Sequence, residues 1–244
     1  MSHIVRRVTD GGPIHLKPAA ELAERVLLPG DPHRALAVAQ ALLEQPKMFN
    51  HHRGLWGYTG PARDGELLTV QATGMGGPSA AIVIEELIEL GANTLIRIGT
   101  CGALDGALEI GEIVAVDRAL SEDGASAALG ADGEVAPDPD LTAALREACG
   151  GRAVTAVSTD LFYDTREGVE QGWAERGAAV VEMEAATLFQ AALVHGVRAG
   201  CVLGVTDVVR AGRTRIDHEQ LAELGLRLGE VGFQGLARAS STAR

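Results

Sequence analysis

The segment AAVVEMEAATLFQAA (178–192) joins a short β-branched run to a longer stretch with the composition of a helix. A strand followed at once by a helix is the repeating unit of α/β proteins, in which helices cover a sheet of mainly parallel strands. Glu182 and Glu184 lie at the junction, inside an otherwise apolar segment. Ionised carboxylates are rarely buried without partners. The segment therefore predicts both a fold class and a place where polar partners or a ligand are needed.

The same alternation continues along the whole chain. Short β-branched runs predict strands at RVLLPG, ELLTVQAT, TLIRIG, EIVAVDRAL, AVTAVS, AAVVEM and RAGCVLGVT. Longer runs predict helices at residues 32–45, 78–91, 139–149, 184–195 and 217–237. Residues 121–139 are rich in Gly, Ala, Asp and Pro without periodicity, which predicts a surface excursion and not a linker. We expect one domain over residues 1–244, with a mixed, largely parallel twisted sheet flanked by helices.

The composition excludes several classes of partner. The 244 residues carry a formal net charge of -12 at pH 7, whereas nucleic acids and anionic membranes bind basic surfaces. No apolar run approaches membrane-spanning length and the first residues lack a secretory apolar core, so we expect a cytoplasmic protein. Cys101, Cys149 and Cys201 are irregularly spaced, which favours reduced structural thiols over a zinc site or disulfides.

Arginines lie close to the carboxyl ends of predicted strands, where ligands of open α/β sheets bind. In LLPGDPHRA, Gly30 lets the backbone approach a ligand and Arg34 falls in the first turn of a helix, which favours an anion site. The alternative is an ordinary turn with a solvated arginine. In LIRIGTCGAL, Arg97 lies within an apolar strand, where it needs an anionic ligand or a structural ion pair. Arg53, in a loop before a glycine-rich hairpin, would by itself be a solvated arginine.

The acidic residues could accept hydrogen bonds from a sugar and protonate a leaving group. Glu182 and Glu184 at a pocket rim could accept the two hydroxyls of a ribose diol, although a helix-cap role is the alternative for one of them. In TGMGGPSAA, a tight turn allows Met75 to approach a ligand closely. Asp207 follows an apolar strand and serves either as a turn cap or as a general acid. Cations for phosphate, carboxylates for a diol and a lone acid together predict transfer of a glycosyl group to phosphate.

In combination, seven motifs resemble those of the nucleoside phosphorylase superfamily over nearly the whole chain. They are PGDPHRA, HRGLWGYTG, TGMGGPS, RIGTCGA, STDLFY, EMEAATLF and VTD. This family contains hexameric bacterial purine nucleoside phosphorylases, uridine phosphorylases and archaeal methylthioadenosine phosphorylases. The resemblance implies a phosphorylase/hydrolase-like fold and a homohexamer built as a trimer of dimers, with sites shared across each dimer. It implies no metal and no cofactor, inorganic phosphate being a co-substrate.

The resemblance also implies a set of residues for each part of the substrate. Phosphate would be bound by Gly30, Arg34, Arg97 and Thr100, with Arg53 contributed by the neighbouring subunit. The ribose would be held by Met183 and Glu184, with Met75 and Glu182 beside them and His15 reaching its 5′ end from that neighbour. The base would stack on Phe162, next to Cys101 and Gly102, and Asp207 would protonate N7 of a purine.

The reaction predicted in this way is reversible phosphorolysis of purine nucleosides to free base and pentose 1-phosphate. Arg166 and Gln171 follow Phe162 at spacings that do not match the uracil-reading pattern of uridine phosphorylases, which favours purines. Uridine or methylthioadenosine as substrate, a nucleosidase that uses water, and an inactive nucleoside-binding protein are the alternatives. The arginine that assists Asp207 is left open between Arg210, Arg213 and Arg215.

Overall fold

One mixed β-sheet forms the centre of the molecule. The structure is a computed structural model that describes residues 12–208 and 214–242. Within these ranges the sheet contains eleven strands. They are β1 (Arg25–Leu28), β2 (Lys47–Asn50), β3 (Gly57–Pro61), β4 (Leu67–Gln71), β5 (Thr94–Ala103), β6 (Ile113–Glu122), β7 (Glu134–Val135), β8 (Ala153–Thr159), β9 (Ala178–Glu182), β10 (Arg198–Val208) and β11 (Thr214–Arg215).

The pairing of these strands closes part of the sheet into a ring. Strands β4, β1, β5 and β10 are parallel in that order, and β6, β8 and β9 form a second parallel group. Antiparallel pairs join the two groups, because β6 pairs with β10 and β9 pairs with the end of β5. Strands β10, β6, β8, β9 and β5 thus form the ring, from which β1, β4, β3 and β2 extend as an open sheet. The mixed, largely parallel sheet was predicted, whereas its closure was not.

Helices cover both faces of the sheet. In the described ranges they are α1 (Pro32–Leu42), α2 (Gly77–Glu89), α3 (Gly124–Ala128), α4 (Pro139–Ala148), α5 (Val169–Glu175), α6 (Ala185–His195) and α7 (His218–Thr242). On one face, α2 and α6 pack into a core that includes Ile84, Leu87 and Phe189. On the other face, α1, α4 and α7 pack around Val38 and Leu145. The carboxyl ends of β1, β5 and β10 meet at one edge between these layers, which is where ligands of α/β sheets bind.

The starts of the five predicted helices agree with the structure to within one residue. Asp31 and Asp138 accept hydrogen bonds from first-turn amides just before a proline, so local sequence fixes these starts. The ends agree less well. Helix α1 stops at Leu42 and not at residue 45, because Leu43 is extended and bridges Ala62. Helix α7 continues to Thr242, five residues beyond the predicted end.

Residues 121–139, predicted as a surface excursion, are partly buried. The segment contains the end of β6, helix α3 and strand β7, and Asp123 is only 2% exposed. The carboxylate of Asp123 accepts hydrogen bonds from the Ser126 amide at 2.8 Å and from Oγ1 of Thr187, on α6, at 2.7 Å. Most of the segment is exposed or partly exposed, in agreement with a surface excursion, and the polar groups of Asp123 and Ser126 that enter the interior satisfy one another.

The three cysteines are free thiols. Cys101 and Cys201 are buried, and burial is the main cause that raises the pKa of both, so they stay protonated. Cys149 is partly exposed. These positions agree with the predicted structural thiols.

No helix within residues 12–208 and 214–242 is both long and apolar enough to cross a bilayer.

Candidate active site

A buried arginine and two buried glutamates form the centre of the site. Arg97, in β5, donates from Nε to Oε2 of Glu182 at 3.0 Å, and its Nη2 pairs with Oε2 of Glu184. No member of this cluster is more than 6% exposed. Burial acts to lower the pKa of Arg97, but the charges of Glu184 and Glu182 outweigh it, so the pKa is raised and the guanidinium stays charged. The structural ion pair predicted as one explanation for Arg97 is therefore present.

Glu182, the last residue of β9, caps helix α6. Its carboxylate accepts hydrogen bonds from the amides of Glu184 at 2.9 Å and Ala185 at 3.0 Å, and from the hydroxyl of Ser158. Negative charge is favoured at a helix N-terminus. Together with Arg97, these donors occupy both carboxylate oxygens, so the helix-cap alternative applies to Glu182, and its contacts do not support a hydrogen bond to a sugar hydroxyl. Ser158 is a residue of the site that the sequence reasoning missed.

Glu184 faces the glycine-rich loop before α2. The amide of Gly76 donates to its Oε1 at 2.5 Å. Gly76 has a φ of 84°, in the left-handed region that favours glycine, so the loop conformation depends on this residue. Met75 is 86% exposed, and Met183 is half-buried beside the two glutamates. Burial is the largest cause that raises the pKa of Glu184, and Arg97 acts in the opposite direction.

A second guanidinium lies near the first. Arg34, in the first turn of α1, donates from Nη1 to the carbonyl of Ile98 at 3.4 Å. Its side chain packs against Gly225 of α7, where an added Cβ would lie 3.3 Å from Cγ and Nε of the arginine. Burial lowers the pKa of Arg34, Asp31 opposes this, and the positive charge of Arg97 lowers it further. The buried guanidinium of Arg97 and the partly buried guanidinium of Arg34 repel each other, so this place is suited to an oxyanion such as phosphate.

The other predicted phosphate residues lie at the same sheet edge. The carbonyl of Gly30 accepts a hydrogen bond from the amide of Gly74 at 3.1 Å, which ties the end of β1 to the glycine-rich loop. An added Cβ at Gly99 would lie 2.7 Å from the guanidinium carbon of Arg97, so the arginine folds back over its own strand. Thr100 follows and is half-buried. The ends of β1 and β5 are thereby joined around the cation cluster.

Asp207 lies near the end of β10 and is 5% exposed. The register of β10 with β5 shifts between Val205 and Asp207, and such bulges redirect side chains. Oγ1 of Thr206 donates to Oδ1 of Asp207 at 3.2 Å. Gly102 is the register partner of Asp207 on β5. Burial and nearby carboxylates, Asp207 among them, raise the pKa of the Cys101 thiol, so the predicted acid lies close to Cys101 and Gly102.

The arginine that assists Asp207 is not decided by the structure. Arg210 and Arg213 lie outside the described residues. Arg215 is the antiparallel partner of Asp207 in the short β10–β11 pair, and its side chain is exposed. The choice among the three arginines therefore stays as the sequence left it.

Phe162 belongs to an exposed apolar cluster in the loop after β8. Leu161, Phe162 and Tyr163 are 54%, 45% and 85% exposed. The rings of Phe162 and Tyr163 meet edge to face, with centroids 5.0 Å apart. Exposed aromatic rings of this kind offer a face on which a planar base can stack.

His15 and Arg53 lie in another surface region. Nδ1 of His15 is 2.7 Å from Oε1 of Glu86 on α2, and Nδ1 of His52 is 3.0 Å from the carbonyl oxygen of His15. Arg53 follows His52, is exposed, and has a φ of 58°, which is unusual for a residue other than glycine. The two residues predicted to serve a neighbouring subunit are thus held close together.

Cavity size does not locate the site. A cleft of about 580 Å³ lies beside α5 and is lined by Leu104, Glu170, Gln171, Ala174 and Glu175. This lining contains carboxylates and no basic residue, so it is unsuited to phosphate. A cavity of about 10 Å³, room for about one water, lies beside the ion cluster and is lined in part by Thr73, Arg97 and Glu184. We place the candidate site at the ion cluster of Arg97, Glu182 and Glu184, because a cation that could bind phosphate lies there beside the Glu184 carboxylate, which could bind a sugar.

The start of α2 provides a test of how closely the site is packed. An added Cβ at Gly77 would lie 2.7 Å from Oγ1 of Thr187, 2.8 Å from Oδ2 of Asp123 and 2.9 Å from Cβ of Ala125. We expect Gly77→Ala to lower the free energy of unfolding by about 1–3 kcal/mol, the usual cost of overpacking, as measured by urea denaturation. Gly106→Ala is the control, because an added Cβ there meets nothing within 4 Å. Equal urea midpoints for the two variants would contradict this packing.

The ring-closed mixed sheet, its two helical layers and the charged cluster at the strand ends define an α/β protein with a buried ion cluster at that edge. The chain belongs to the Phosphorylase superfamily, whose family model matches residues 24–230. This match confirms the resemblance inferred from the motifs, and with it the prediction of an enzyme.

Curated relatives agree with the family. A protein named "Purine nucleoside phosphorylase DeoD-type" from Geobacillus kaustophilus (strain HTA426) is 35% identical over 208 residues, which cover 82% of this chain and 87% of that protein. A protein of the same name from Jannaschia sp. (strain CCS1) is 38% identical, with 80% of this chain and 86% of that protein covered. A third, from Caldanaerobacter subterraneus subsp. tengcongensis, is 37% identical over 82% of this chain and 89% of its own length.

Proposed function

We propose that this chain is a purine nucleoside phosphorylase, which transfers the pentosyl group of purine nucleosides reversibly to inorganic phosphate. One observation carries the proposal: the buried guanidinium of Arg97, which pairs with the carboxylate of Glu184, lies near the partly buried guanidinium of Arg34. Such a place binds an oxyanion beside a hydroxylated ligand. The names of the relatives support purine nucleosides as the substrate class.

In this proposal, phosphate is bound by Arg34 and Arg97 together with Gly30 and Thr100. Phosphate is already an anion, so it needs positioning against C1′ of the sugar and no strong base. Arg97 has a second task, because its ion pairs with Glu182 and Glu184 hold the strand end and the start of α6 in place. No cofactor is proposed beyond phosphate as co-substrate.

The nucleoside is held on the other side of Arg97. Glu184 accepts a ribose hydroxyl, with Met75 and Met183 packed against the sugar, while Glu182 supports Glu184 and the helix start. The base stacks on Phe162 near Cys101 and Gly102. Asp207, in its protonated form, donates a proton to N7, so that the C1′–N9 bond breaks without leaving a purine anion.

We also propose that the active form is a homohexamer built as a trimer of dimers. His15 and Arg53 lie together at the surface, and no hydrogen bond or ion pair found among the described residues joins either to Arg97, Glu182 or Glu184. This arrangement fits residues that complete the site of a neighbouring subunit, with Arg53 on the phosphate and His15 at the 5′ end of the ribose.

The proposal is tested by following base release from inosine, adenosine, guanosine, uridine and methylthioadenosine with and without phosphate. We expect cleavage of purine nucleosides only when phosphate is present, with pentose 1-phosphate as the second product. Equal cleavage without phosphate would instead identify a nucleosidase. Binding of nucleosides without any cleavage would identify an inactive binding protein.

A further inference from the structure

Glu86, near the C-terminal end of α2, is a buried acceptor for a whole segment of backbone. Its carboxylate accepts hydrogen bonds from the amides of Ile14 at 3.1 Å, His15 at 2.9 Å and Leu16 at 2.7 Å. Nδ1 of His15 lies 2.7 Å from the same group. A single side chain therefore fixes the backbone and the ring of His15 at once.

The ionised form of Glu86 is what this arrangement requires. The residue is 3% exposed, and no lysine or arginine in the described part of the chain pairs with it. Burial acts to raise the pKa of Glu86, but hydrogen bonds from Leu16 and His15 outweigh it, and the pKa lies below its usual value. A carboxylate only accepts hydrogen bonds, so it suits several converging donors, whereas an amide of the same shape would turn an N–H group toward another N–H group.

The contact with Glu86 also sets the chemistry of the His15 ring. Because the Glu86 carboxylate can only accept, Nδ1 of His15 presents its proton to that carboxylate, and Nε2 is left for a hydrogen bond with another group. The ring is 29% exposed. Asn50, which is fully buried, accepts from the amide of Lys17 at 2.9 Å and holds the turn that carries Arg53, so the same surface region is fixed from a second side.

We propose that Glu86 is a positioning residue that orients His15, so that Nε2 accepts a hydrogen bond from the 5′-hydroxyl of the nucleoside in a neighbouring subunit's site. This inference rests on the proposed function. It adds to that function a residue on α2 that never touches the substrate and acts only through His15.

Glu85 provides a matched control on the same helix. Its Oε2 lies 2.7 Å from Nε2 of His195, at the C-terminal end of α6, so it forms a glutamate–histidine pair of the same length. The Glu85 side chain is 32% exposed, and His195 has no place in the proposed site. Glu85→Gln therefore removes a comparable pair from the same helix without affecting His15.

The test compares Glu86→Gln with Glu85→Gln in the full-length enzyme, using inosine and 5′-deoxyinosine at saturating phosphate. We expect kcat/KM of Glu86→Gln for inosine to fall about 3- to 10-fold, the range for one lost hydrogen bond, mainly through KM. The value for 5′-deoxyinosine should stay near wild type, because that substrate lacks the hydroxyl. Partial unfolding lowers both values equally, so the ratio between substrates isolates the positioning role.

Glu85→Gln should leave the ratio between the two substrates at its wild-type value. If Glu86→Gln also leaves that ratio unchanged, Glu86 has only a structural role and the inference is wrong. Should Glu86→Gln fail to fold, Glu86→Asp keeps the charge but withdraws it by one methylene, and the same ratio decides. Wild-type enzyme that does not cleave inosine with phosphate would overturn the proposed function itself, which is a different outcome.

Discussion

Asp207→Asn is expected to lower kcat for adenosine phosphorolysis by about 10²- to 10⁴-fold while KM stays near its wild-type value. Asparagine has nearly the same shape as aspartic acid, so the substrate still fits. It has no acidic proton to donate to N7, and the purine must then leave as an anion. The loss should be most severe with adenosine and is measured by base release under saturating phosphate.

The control for this substitution is Asp117→Asn, at an exposed aspartate on β6. It makes the same aspartate-to-asparagine change at the surface and should leave kcat unchanged. Equal adenosine rates for wild type and Asp207→Asn would exclude the proton-donor role. A large rise in KM with unchanged kcat would instead mean that Asp207 contributes to binding only.

The second large effect concerns the ion cluster. Arg97→Met removes the cation from between Glu182 and Glu184 and leaves two buried carboxylates without a charged partner. Breaking a buried pair by removing one partner typically destabilises a protein by about 3–5 kcal/mol. We expect a loss of this size in denaturant unfolding at pH 7, and phosphorolysis that no longer saturates with phosphate.

The pH dependence of that loss has a defined sign. The pKa of Glu184 is already raised by burial in the wild type, and loss of Arg97 removes the charge that opposes the rise. A carboxyl group with a raised pKa in the folded state costs stability as pH rises and regains it as pH falls. The deficit of Arg97→Met relative to wild type should therefore shrink when unfolding is repeated toward pH 5.

Arg118→Met is the matched control for the ion cluster. Arg118 pairs with Glu134 at 3.4 Å, and both side chains are largely exposed. Exposed pairs contribute about 0–1 kcal/mol. If the two methionine variants are equally stable, the Arg97 cluster does not stabilise the fold as its burial indicates.

Local signals explain which parts of the fold could be predicted from sequence. Helix starts were predicted because an aspartate cap and a following proline act within a few residues. The end of α1 depends instead on the bridge between Leu43 and Ala62, a contact between elements that no local pattern shows. Closure of the ring likewise depends on pairs such as β6 with β10, which are far apart along the chain.

The same contrast between local signals and contacts distant in sequence applies to the candidate site. The sequence placed Glu182 and Glu184 together, but it could not assign the helix cap to Glu182, because a decisive donor, Ser158, lies 24 positions earlier in the chain. Glu86 was missed for the same reason, since its partners lie 70 to 72 residues away. A glutamate on an otherwise amphipathic helix shows no sign of such partners. Polar residues whose partners lie far away in the sequence can be recognised only from the three-dimensional structure.

Strand β5 is paired along both edges, with β10 on one side and with β1 and then β9 on the other. We expect backbone amides in such a doubly paired strand to exchange slowly with deuterium, because opening them requires unfolding on the scale of the whole core. Arg97 is thus carried by a strand that is held on both sides, and it needs no ordering when substrate arrives. We expect substrate binding to order mainly the peripheral loops. Mutations that make those loops more flexible should therefore weaken substrate affinity without changing thermal stability.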